Sequence, residues 1–227
     1  MEYNELTDLL FIIIILIIPF IAQLKVSSNY NKYLIVKQSS GLSGFEVARK
    51  ILDNNGLDNV HIVETRGKLT DHYDPTRKVI RLSHNVFHGD SIASVSIAAH
   101  ECGHAVQDKT GYVWMRIRSI IFPIVNIATS ISYVVILIGI LAQLFNVVLL
   151  GIVLTAFGLI FQIVTLPVEF DASNRAKDEL RKIGIVKAEE QTGVNKVLGA
   201  AAMTYVAGVL SSALEIVRLL LVFSRDD

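Results

Sequence analysis

The chain has 227 residues, 52 % of them hydrophobic, with a mean hydropathy of +0.51, which is too apolar for an ordinary soluble domain of this size. Its 21 basic and 21 acidic residues cancel to zero net charge, so there is no electrostatic footprint for nucleic acid. Cys102 is the single cysteine; no intrachain disulfide can form, which fits a reducing compartment.

Residues 1–8 carry Glu2, Glu5 and Asp8 but no Lys or Arg, and residues 9–24, LLFIIIILIIPFIAQL, form an uncharged run closed by Lys25. The run is short for a bilayer span, but polar flanks can snorkel at both ends. A cleaved signal opens with a positive segment and ends in small residues. This run opens acidic and has no A-x-A site, so residues 1–25 are expected to be a retained membrane anchor.

Residues 26–36 can extend that helix into water, and 38–42 read as a linker. Ser43 and Glu46 have capping-box spacing, Val47, Ala48, Ile51 and Leu52 form an apolar stripe, and Gly56 ends the helix. Residues 60–65 alternate like a strand. Asp74-Pro75-Thr76-Arg77 is a turn, and Val79-Ile80-Arg81-Leu82 is a second strand. Residues 26–116 are therefore expected to form a small α+β domain in water.

That domain closes on His100-Glu101-Cys102-Gly103-His104. Asp90 or Ser91 is a helix N-cap, no proline follows through Gln107, and Gly111 is a C-terminal stop. On that helix His100 and His104 share one face and can direct ring nitrogens at one Zn²⁺. Glu101 sits beside the metal, where it can take a proton from an activated water. Cys102 points to another face and is expected to be packing rather than a ligand. Gly103 leaves room for close backbone approach.

After Arg118, residues 119–168 carry no charge. Fifty residues exceed one span, so two helices, roughly 120–142 and 147–167, are expected as a hairpin over 117–168. Residues 169–196 are charged and helix-prone. Residues 197–227 begin with an uncharged stretch rich in Ala, Gly and Ser, which reads as a fourth span or as a helix packed on the domain with a Glu215–Arg218 pair. A catalytic zinc takes three protein ligands and a water. His61, His72, His84 and His88 are candidates for the third. Glu169 is the better one, because it is the first charge after a hairpin that returns the chain to its start. Asp171 is its rival, but it faces about 200° away and has Arg175 four residues on.

The stretches SSGLSGFEVARKILDNNGL, KLTDHYDPTRKVIRLS, SIAAHECGHAVQ and TLPVEFDASNRA, with the hydrophobic segments, resemble the YugP-like membrane neutral zinc metallopeptidases. Those proteins are relatives of the HtpX-like and CAAX prenyl proteases. The resemblance covers nearly the whole chain. It implies a mainly helical α+β membrane protein with about four spans and a gluzincin-type site. In that site His100, His104 and Glu169 hold Zn²⁺ and Glu101 is the base. The HtpX-like relatives carry E-x-x-x-D, whereas the position four after Glu169 here is Ser173.

The expected reaction is hydrolysis of peptide bonds in a protein or peptide substrate at the lipid bilayer. His72, Tyr73 and Tyr205 are candidate oxyanion donors, and the strand 79–82 could pair with an extended substrate. Two rivals are a membrane scaffold with a structural zinc and an intramembrane site-2-type protease. Lys25, Lys32, Lys37, Arg116, Arg118, Arg175, Lys177, Arg181 and Lys182 flank the spans on one side, which the positive-inside rule assigns to the cytoplasm.

Overall fold

The structure, a computed structural model, describes residues 5–223. In chain order it contains α1 (Glu5–Leu34), α2 (Gly44–Asn54), β1 (His61–Thr65), β2 (His72–Asp74), β3 (Val79–Ser83), α3 (His84–His88), α4 (Ile92–Thr110), α5 (Val113–Leu141), α6 (Phe145–Lys182) and α7 (Gln191–Phe223). The helices α1, α5, α6 and α7 are each long and apolar enough to cross a membrane. The chain is thus an α+β membrane protein, largely helical, with one small sheet.

Internal contacts divide the chain into two units. One comprises the described parts of Met1–Gln23, Ile117–Leu166 and Thr204–Asp227. Its outward side chains are mostly Leu, Ile, Phe and Val, among them Leu16, Ile120, Ile127, Leu150 and Leu210. Ile136, Val148, Ile152 and Leu219 pack inside it. Its half-buried charges are paired: Arg218 binds Glu215 at 2.9 Å and Asp8 at 3.0 Å, and the half-buried Ser212 donates to Gln162. Such pairing is what a charge in an apolar setting requires. The expected Glu215–Arg218 pair therefore exists within a helix long enough to span.

The other unit comprises Leu24–Arg116 and Pro167–Met203. Ser43 caps α2 in a full capping box with Glu46, and Val47, Ala48, Ile51 and Leu52 are buried. The sheet order is β1-β3-β2, with β1 parallel and β2 antiparallel to β3. The short β2 and the single turn α3 are not foreseen in the sequence, being too short to show a period. Because β3 has neighbours on both sides, its backbone groups are already engaged. The expectation that residues 79–82 receive a substrate strand is therefore corrected: among the described residues β1 and β2, not β3, are the outer strands of the sheet.

Two further boundaries differ from expectation. α6 runs unbroken through Pro167 to Lys182, since a proline removes one backbone donor and kinks a long helix rather than ending it. The chain then breaks at residues 183–190, where Gly184 adopts φ 66°, and α7 starts at Gln191 rather than near 197.

Candidate metal centre

The site is built on α4 and on the polar end of α6. Ser91 caps α4 by accepting the Ser94 N–H, and Gly111 ends it in the left-handed conformation at φ 64°. Most of α4 is buried, so packing fixes most of its side chains. Gly103 is the contact point with α6. A Cβ there would lie 2.5 Å from the Ala172 carbonyl oxygen. The close approach read from Gly103 is therefore real, and Ala172 is its partner.

That approach brings Glu169 to the two histidines. Its Oε2 lies 3.3 Å from His100 Nε2 and 3.6 Å from His104 Nε2. The imidazole rings are 4.8 Å apart and nearly perpendicular. The three donor atoms lie within 4.8 Å of one another. Glu169 is 2 % exposed, and a carboxylate buried that deeply needs positive or metallic neighbours. The spacings also suit zinc. Two bonds of about 2.0–2.2 Å at a tetrahedral angle set donor atoms about 3.3–3.5 Å apart, longer than a good hydrogen bond. Two neutral imidazoles and a carboxylate are a borderline donor set that fits Zn²⁺.

Each histidine is held by its other nitrogen. Gln107 Nε2 donates to the Val168 carbonyl and to Asp171 Oδ2, both at 2.8 Å. Those two acceptors fix the amide so that Oε1 faces His104 Nδ1 at 3.0 Å. The proton then resides on Nδ1, and Nε2 keeps its lone pair for a metal. Asp171 is locked in turn by Arg175 Nε at 2.6 Å. On the other histidine, Ser173 Oγ sits 3.2 Å from His100 Nδ1. Thus Asp171 is not in the donor cluster, and it acts on His104 through Gln107. Neither Gln107 nor Ser173 is singled out in the sequence as a partner of the histidines. The available signals are weak: Gln107 is three residues after His104, and Ser173 is four after Glu169.

Glu101 is 7 % exposed. Burial pushes its carboxyl above the ordinary range; His100 and His104 pull it back, and Glu169 and Asp71 push it further up. For His104, burial alone would lower the ring pKa. The Glu169 carboxylate outweighs this and, with Glu101 and Gln107, holds it above an ordinary histidine. Cys102 is fully buried against the Ala48 carbonyl, and burial pushes its thiol well up. It is a packing residue facing away from the cluster.

The remaining candidates go elsewhere. Tyr73 donates to Asp108 at 2.7 Å, so its hydroxyl is occupied. His72 Nδ1 contacts the Thr70 carbonyl, and His61 is exposed on β1. His84 and His88 meet Glu64 instead. Tyr205 belongs to the other unit.

Among proteins of known sequence, the chain is 48 % identical over 212 residues to "Putative membrane protease YugP" of Bacillus subtilis (strain 168), covering 92 % of this chain and 94 % of that one. No solved structure matches the chain. The family model described as "Putative neutral zinc metallopeptidase" matches residues 8–224, and the chain belongs to that family.

Proposed function

We propose that the protein is a membrane-anchored zinc endopeptidase in which His100, His104 and Glu169 hold the ion and Glu101 is the general base. The observation that carries this reading is the convergence of three donor atoms with a buried carboxylate adjacent to the first histidine in sequence. A zinc ion held there supplies Lewis-acid activation of a water and polarisation of the substrate carbonyl. Glu101 accepts the proton of the attacking water and delivers it to the leaving amine. Its raised affinity for a proton suits both halves of that transfer. Gln107, Asp171 and Ser173 fix the ring orientations, so the ligands do not reorganise as charge develops.

A structural zinc is closed by four protein ligands. Among the described residues only three donors gather here, which leaves one position for water. A site-2-type arrangement needs the motif inside a span, yet α4 is not among the helices apolar enough to cross a membrane. The charges flanking the spans favour a site on the cytoplasmic side.

The test is cleavage of a labelled unfolded protein by the zinc-loaded full chain in detergent. Glu101→Gln should keep its zinc and lose about 10²–10⁴-fold in rate. Cleavage by Glu101→Gln at the wild-type rate would remove Glu101 from the role of base.

A further inference from the structure

A second donor cluster lies outside the site described above. His84 and His88 stand at i and i+4 on α3, with ring centroids 4.8 Å apart. That separation equals the His100–His104 ring separation. Glu64, from the neighbouring strand β1, reaches both rings. Its Oε1 is 2.7 Å from His84 Nδ1, and its Oε2 is 3.0 Å from His88 Nε2. The chain thus repeats, on the surface, a histidine pair on one helix met by a glutamate from another element.

We propose that Glu64, His84 and His88 form a second divalent-metal site, selective for borderline ions such as Zn²⁺ and weaker than the His100–His104–Glu169 site. Two imidazoles and one carboxylate favour such ions over Mg²⁺ or Ca²⁺, which want oxygen ligands. The three side chains are 42 to 72 % exposed, so water can complete the coordination. His84 and His88 also border a surface hollow of about 310 Å³.

The weaker affinity follows from the distances. The buried donors already stand at 3.3 and 3.6 Å, open enough to admit an ion between them. The surface donors are in direct contact at 2.7 and 3.0 Å. An ion must break both contacts and spread the donors to about 3.3–3.5 Å. It must also hold in one geometry three side chains that are each largely exposed to water. Once bound, the ion joins β1 to α3, the turn that leads into α4.

The test is zinc stoichiometry of the full chain in detergent, measured by equilibrium dialysis over a range of free zinc. The wild type should bind two equivalents, the second at higher free zinc and the first to leave under a mild chelator. His84→Ala, His88→Ala and Glu64→Gln should each lose the weaker equivalent and keep the tight one. His104→Ala should do the reverse, so failure at either site is read separately. The exposed His61→Ala and His72→Ala variants should keep both. A wild type whose only equivalent is the one lost in His104→Ala, or a weaker equivalent that survives His84→Ala with His88→Ala, would overturn the proposal.

Discussion

Gln107 is the residue on which the order of the buried site turns. Its amide is clamped by two acceptors, Val168 O and Asp171 Oδ2, and so presents only an acceptor to His104. Replacing Gln107 with Leu keeps the volume but leaves His104 Nδ1 unpaired. Zinc affinity should fall about 10–100-fold, measured by competition with a chromophoric chelator. Ser173→Ala should fall at the lower end of that range, because its contact is longer. Asp171→Ala should keep zinc, with a moderate loss of activity. The histidines also predict a proton release. Glu169 raises the His104 pKa in the metal-free protein, so the ring still holds its proton at pH values where an ordinary histidine has lost it. Zinc must displace that proton, and apparent affinity therefore falls as pH drops below the raised value. Zinc added to the metal-free protein in weak buffer near pH 7 should acidify the solution, and Glu169→Gln should release fewer protons from His104. Equal release from both proteins would contradict this coupling.

At the scale of elements, the contact of α4 with α6 sets the site. Gly103→Ala would drive a methyl into the Ala172 carbonyl, and backbone on both sides cannot yield cheaply. The expected cost is about 1–3 kcal/mol, with Glu169 pushed from the histidines. Thermal unfolding should show a lower midpoint and a smaller gain in stability on adding zinc than the wild type shows. An unchanged midpoint and an unchanged zinc response would mean the helices do not meet there. Much of this was legible in the sequence because its causes are local. The capping box of α2, the Ser91 cap, the Gly111 stop and the His-Glu-x-x-His spacing each lie within a few residues. Glu169 was legible for a different reason, as the first charge after an uncharged hairpin. Gln107–Asp171 and Ser173–His100 were not, because they depend on how α4 and α6 pack. β2 and α3 were too short for any period, and the Glu64–His84–His88 cluster joins residues from a strand and a turn whose pairing no spacing reveals.

Across the whole molecule, composition alone separates the apolar unit from the polar one, since uncharged runs and charged segments alternate along the chain. The same alternation fixes an expected topology. Basic residues follow the apolar run of α1, precede that of α5 and follow that of α6, so the polar unit should face the cytoplasm. In a Cys102→Ala background, a membrane-impermeant maleimide should label Gln143→Cys in intact cells. It should label Lys50→Cys only after the cells are opened, and labelling of Lys50→Cys in intact cells would reverse the orientation. Zinc held by His100, His104 and Glu169 is the centre of the proposed chemistry. The most direct test is the tightly bound zinc left after dialysis against a mild chelator, compared across single variants of the full chain. His100→Ala, His104→Ala and Glu169→Ala should retain none, while Glu101→Gln and Asp171→Ala retain one equivalent each. Zinc kept by Glu169→Ala and lost by Asp171→Ala would contradict the account.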